Sequence, residues 1–194
     1  FTQFAWSDVD FFMLDNRYHR SSSRSPDGHD KTQLGETQLR WLLDALTTSR
    51  ATFKIVVGGG QFLSPFDQWE GYAQFAYERD RLLDEIRKRK VEGLIFLSGD
   101  RHHSELVRVA PLGFYPLFDF TSSPLTSKGA SASGELDSPV RVDGTLVTQK
   151  RSFGMLHFSG KGEGRRVLLE ARDAKGKVLW KHEIKAMDLK FKTP

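Results

Sequence analysis

Three short, nearly unbroken apolar runs constrain this chain more than anything else in it: Phe11-Phe12-Met13-Leu14, Phe53-Lys54-Ile55-Val56-Val57 and Leu94-Ile95-Phe96-Leu97. Each has the length of a strand buried on both faces, and each stops at a turn-forming residue, Asp15, Gly58 or Gly99. Between the first two, Leu39, Leu42, Leu43 and Leu46 recur at helical spacing; between the second and third, Leu82, Leu83 and Ile86 do. Strand, helix, strand, helix, strand with continuous apolar strands predicts a parallel sheet covered by helices and joined by right-handed crossovers. Gly93, beyond the second helical pattern, reads as its C-terminal stop.

After residue 104 the pattern changes. Residues 105–109, 114–120, 154–159, 166–171 and 177–184 read as strands, and the last three are separated by turn clusters, Gly160 to Gly164 and Asp173 to Gly176. Residues 124–150, rich in Ser, Gly and Thr, read as a long loop. The expected class is therefore α/β: a parallel or mixed sheet with helices over residues 1–104, then a mainly antiparallel β part over 105–194. At 194 residues this is one domain's worth of chain.

Composition narrows the chemistry. No run approaches the ~18 apolar residues of a transmembrane helix. The absence of Cys removes disulfides, thiolate ligands and cysteine nucleophiles together. The net charge of +4 is spread among acids, and its densest run, Arg87-Lys88-Arg89-Lys90, closes a helix where cations meet the C-terminal dipole. No nucleic-acid-binding module stands out. The chain opens on Phe1-Thr2-Gln3-Phe4, already strand-like and without a leader pattern, which reads as a piece of something longer.

The strongest local signal is Gly99-Asp100-Arg101-His102-His103, directly after a buried strand. Ligands bind at such strand ends, and Gly lets the backbone turn so that Asp100 and His102 face one space. Carboxylate with imidazole is ligand chemistry for iron, manganese or zinc, and Asp also serves calcium. The plain alternative is a turn with two solvated imidazoles. Leu14-Asp15-Asn16-Arg17 ends another buried strand, where Arg17 is placed either to clamp a phosphoryl oxygen or to pair with Asp15 and tie down the loop.

Other patterns carry less. Gly58-Gly59-Gly60 lacks the third glycine of a dinucleotide fingerprint, Gly160 to Gly164 lacks a P-loop's ending, and no nucleophile elbow is present. His19, His29, His157 and His182 read as loop or pleat residues. Trp69 and Tyr72 pack a helix start or else wall a crevice.

In this order, five blocks resemble the C-terminal half of the PhoD-like (alkaline phosphatase D) metallophosphatases. They are Trp6 to Arg17, Gln33 to Leu42, Trp69-Glu70-Gly71-Tyr72 with Arg79 beyond, Leu97 to His102, and Phe120 to Leu125. The resemblance implies part of a calcineurin-like sandwich, hydrolysis of phosphomonoesters and phosphodiesters, a ferric ion with calcium, and a secreted or periplasmic setting. It implies a metal-activated hydroxide attacking phosphorus in line. Carried over, Asp100 and His102 match the Gly-Asp-x-His metal ligands and Arg17 the phosphate-facing arginine, while His102 or His103 is placed to protonate the leaving group. His103 is the second choice, since neighbours in such a loop face opposite ways.

This sequence departs from the pattern in two respects. The family's remaining ligands, an Asp-x-x-Tyr pair and an Asn, belong to an N-terminal half that these residues do not include. Residues 58–61 are Gly-Gly-Gly-Gln, without the His that related metallophosphoesterases carry there. The resemblance therefore implies a companion N-terminal segment of the same protein and little activity without it, with an open sheet edge where that segment pairs. The alternative is a non-catalytic binding or structural module, a degenerate half of a phosphatase.

Overall fold

A computed structural model describes residues 1–67 and 70–192. Among them the strands form a six-stranded sheet and a three-stranded sheet. The larger has the order β1 (Thr2–Trp6), β2 (Val9–Met13), β3 (Phe53–Val57), β4 (Leu94–Ser98), β6 (Leu117–Thr121), β5 (Glu105–Val109). Strands β2, β3, β4 and β6 run parallel in the middle, and β1 and β5 flank them antiparallel. The smaller sheet is the antiparallel meander β7 (Ser152–Ser159), β8 (Arg166–Asp173), β9 (Val178–Lys185). The mixed class is present, but strands β5 and β6, expected in an antiparallel second part, belong to the large sheet, β6 parallel to β4; the short hairpin of β1 onto β2 adds a strand that the apolar runs do not mark.

Alternation along the strands assigns the two faces of the large sheet. On one, Phe12 meets Trp41 of α1 (Glu36–Thr48) and Phe96 stacks on Phe62. On this side α1 buries Leu39, Leu42, Leu43 and Leu46, and α2 (Ala76–Lys88) buries Leu82 and Ile86. On the other, Phe158 packs on Phe53 at 5.4 Å and Trp180 on Phe120 at 5.0 Å, so the meander covers β3, β4 and β6. It stops short of β1, where Phe4 and Trp6 stay exposed, Trp6 by 75%.

The two outer edges of the large sheet differ. Beside β5, Arg108 donates its N–H to Val140 O and Val142 to Leu106 O, so the 124–150 segment covers that edge. Strand β1 is exposed along its whole length.

Helix ends rest on residues distant in sequence. Gly35 at the start of α1 has φ +78°, and a Cβ there would lie 2.8 Å from His19. The N–H groups before α1 are capped by the Glu78 carboxylate of α2, which accepts from Gln33 and Leu34 and from Thr32 Oγ1. At the end of α2 the turn is taken by Lys90 at φ +53°, not by Gly93 as the sequence suggests. Gly93 serves packing: a Cβ there would sit 2.2 Å from Thr52 O, and its N–H bonds Leu189 O.

Candidate functional site

The carboxyl ends of β2, β3, β4 and β6 lie side by side, and the loops that leave them converge. After β2, the Asp15 carboxylate accepts the backbone N–H groups of Arg17 (2.8 Å) and Tyr18 (3.0 Å). It therefore fixes the loop's backbone and leaves the guanidinium to other partners, which replaces the expected Asp15–Arg17 side-chain pair. Gln38, buried on α1, donates to Asp15 O and accepts from Asp15 N, at 2.7 and 2.8 Å. Asn16 folds onto the next loop, where a Cβ at Gly59 would stand 2.8 Å from its Oδ1. The glycine run after β3 thus exists for close approach of chains, as Gly58 also shows beneath Phe62.

After β4, Gly99 donates its N–H to Gly59 O, and the chain turns sharply, with Asp100 at φ +65° and His102 at +54°. Left-handed conformations at two non-glycine residues cost energy that the surroundings must hold. His102 N–H is held by Ser123 Oγ at 3.2 Å, and its carbonyl accepts from Ala130 N–H at 2.7 Å. Side chains then alternate: Asp100 and His102 are exposed, Arg101 and His103 buried. Asp100, His102 and Glu70 line one open crevice of about 610 Å³, opposite Ala130 to Ser133. His103, expected as the weaker of two proton donors, is turned inward, with Nε2 3.2 Å from Glu105 Oε1.

Arg17 does not line the crevice itself but bonds Glu70, which does. Its Nη1 lies 2.6 Å from Glu70 Oε2, and Arg20 Nη1 lies 2.8 Å from Glu70 Oε1. Hydrogen bonds from these two guanidinium groups hold the Glu70 carboxyl below its usual range. Tyr72 is buried edge-on against Phe62 and so belongs to the core, while Trp69 lies outside the described residues. His157 pairs with Glu170 at 3.2 Å and His182 lies over Phe118, both far along the meander.

Behind the crevice is a buried polar network that the sequence does not announce. His103, Glu105 and Glu135 bring one ligand atom each within 4.8 Å of one another, a spacing that suits a cation. The charges, however, close without one. Arg101 pairs with Glu135, while Glu105 takes Arg141 Nε at 2.5 Å and Gln61 Nε2 at 2.7 Å. Burial pushes the Glu105 carboxyl up, but the hydrogen bond and charge of His103, with those of Arg141, outweigh it and bring it down to about 2. Below it, Asp119 accepts from Ser98 Oγ at 2.7 Å and from the N–H groups of Phe62 and Leu63. Two carboxylates opposed by two guanidiniums leave a divalent ion uncompensated charge in a dry interior. Asp100 and His102, one oxygen and one nitrogen donor, are exposed at the lip of the open crevice.

Comparison with known proteins identifies the family and the fold. The sequence profile of the family described as PhoD-like phosphatase matches residues 1–174. Alkaline phosphatase D of Bacillus subtilis (strain 168) is 27% identical over a 115-residue alignment that takes in 48% of this chain and 19% of that protein. A solved structure of PhoD superposes with a TM-score of 0.64 at 16% identity, covering 94% of this chain and 43% of its own, and so shares the fold. The chain spans less than half the length of either relative.

Proposed function

This chain belongs to the PhoD-like phosphatase family, and from that premise we propose that it supplies the phosphate-facing part of a metal-dependent phosphate-ester hydrolase. The observation that carries the reading is the meeting of Asp100, His102 and Glu70 around one crevice at the strand ends, with Arg17 bonded to Glu70. Asp100 and His102 hold a metal ion in this reading, a ferric ion with calcium by family resemblance. Such an ion polarises a phosphoryl oxygen and makes a bound water acidic. Two donors are fewer than a catalytic ion usually takes from protein, so the others come from elsewhere in the whole protein.

The chain's own side chains do the rest. Arg17 meets the equatorial oxygens as charge builds on them, in a rim where solvent screening is partial. His102 faces the crevice and is the candidate for handing a proton to the leaving oxygen. We assign His103 to holding the turn through Glu105. The substrate class is phosphomonoesters and phosphodiesters, in a secreted or periplasmic setting. A companion N-terminal segment of the same protein completes a calcineurin-like sandwich beside β7 and over β1, where Trp6, Phe11 and Met155 line an open groove of about 620 Å³.

Elemental analysis and alkaline hydrolysis of a chromogenic phosphodiester, with the companion segment supplied, test the reading together. Near-stoichiometric metal with turnover is the expected result. Neither metal nor turnover in the complete protein would leave the non-catalytic module as the better account.

A further inference from the structure

Within the phosphatase reading, we infer that Arg17 and Arg20 form a two-armed phosphoryl subsite, that Glu70 occupies it in the free protein, and that substrate enters by displacing this carboxylate. The two guanidinium groups approach the two oxygens of one carboxylate, at 2.6 and 2.8 Å. Two oxygens of a phosphoryl group are similarly spaced, so a fork built for one accepts the other.

Arg20 is the unassigned member. Its side chain is only 10% exposed, lies 5.2 Å over the Phe75 ring, and donates Nη2 to Ser23 Oγ at 2.7 Å. Those contacts hold the guanidinium in place whether or not Glu70 is present. Among the described residues its Nε is buried without a partner. An arginine ordered to this degree beside a crevice-lining carboxylate has lost its side-chain entropy before any ligand arrives, which favours anion binding. Arg17, by contrast, is 59% exposed and free to follow the anion inward.

Glu70 is the weaker partner in the contact. It sits at φ +70°, a conformation that strains a non-glycine residue, and its side chain is 43% exposed. With that exposure, the carboxylate has water to turn into when the arginines release it. A phosphoryl group carries more charge on more oxygens and gains Asp100- and His102-bound metal as a neighbour in the proposed site. The carboxylate thus keeps two cations apart until the ligand takes its place.

The test is calorimetric titration of inorganic phosphate into the purified chain at low ionic strength, with Glu70→Gln beside the native protein. Glu70→Gln keeps the size of the side chain and removes its charge, and phosphate affinity is expected to rise roughly tenfold. Arg20→Lys in the Glu70→Gln background keeps the cation over Phe75 but loses the fork, and is expected to cancel the gain. Unchanged or weaker binding in Glu70→Gln, or no phosphate heat in either protein, would overturn the subsite. A gain that survives Arg20→Lys would overturn the role of Arg20. The phosphatase reading fails separately: loss of turnover in His102→Ala with an unmoved Glu70→Gln affinity removes only the subsite. A Glu70→Gln gain in a complete protein that takes up no metal leaves an anion site and retires the hydrolase.

Discussion

The Arg101 guanidinium and the Glu135 carboxylate, 34 positions apart in sequence, form an ion pair in the interior, their side chains 5% and 1% exposed. The pair ties the turn that presents Asp100 and His102 to the irregular segment between β6 and β7. Because Arg101 points in, its two neighbours point out.

Removing one member of that pair leaves a charge in a dry site. Glu135→Gln is expected to lower the stability of the chain by about 3 kcal/mol, and Arg101→Met with Glu135→Leu to recover most of it. Urea unfolding of the three proteins measures both. A single-variant loss below about 1 kcal/mol would show the pair to be solvated.

His102 is exposed, so His102→Ala is expected to fold like the parent while metal content and hydrolysis fall together in the complete protein. Retained turnover would remove its ligand role. Arg17→Ala is expected to spare metal content and lower kcat by roughly a hundredfold, in the range seen when one preorganised donor to developing charge is lost.

Asp119 predicts a pH dependence of stability. Burial pushes its carboxyl up to about 6, against the hydrogen bonds from Ser98, Leu63 and Phe62 that lower it; the nearby Glu105 charge raises it further. The folded state therefore binds a proton more tightly than the unfolded chain, whose value is near 3.8. From this group, stability is highest below about pH 4 and falls as pH rises through 6, by about 2–3 kcal/mol in all. Glu105, held down at about 2, acts in the opposite sense, contributing stability above its ordinary value of 4.5 that is lost as pH falls toward 2. Asp119→Asn is expected to flatten the slope between pH 4 and 7 in chemical denaturation. An unchanged slope would mean that Asp119 stays ionised when buried.

Trp6 is expected to report on the proposed companion segment. Among the described residues it is the most exposed tryptophan and lies on an open sheet edge, and its emission is expected to shift to the blue when the proposed companion segment is supplied in trans. No shift, with no complex on size exclusion, would count against completion of the sandwich at β1.

How much of this was legible in the sequence depended on range. The apolar runs of β2, β3 and β4 and the leucine spacing of α1 carry their structure within a dozen residues, and Gly-Asp-x-His announces itself by following a strand. Strand β1 read as strand-like, but its pairing on β2 escaped because its residues are exposed and carry no burial pattern of their own. The charges of Glu105, Glu135 and Arg141 escaped for another reason. Their burial is decided by partners such as Gln61, 44 positions from Glu105. A charged residue alone in sequence reads as surface until such a partner is in place. Glu70 had a hint, standing beside Gly71 in a block shared with the family, but its hold on two arginines needed the fold.

Gln38 has a mechanical consequence. It is rooted on α1, yet it grips both the N–H and the C=O of Asp15, two residues before Arg17. Since Glu78 and Arg81 in turn fasten the start of α1 to α2, the two outer helices act as a lever whose short arm ends at the loop that carries Arg17. A load that slides α1 along its axis is delivered to Arg17 without crossing the sheet.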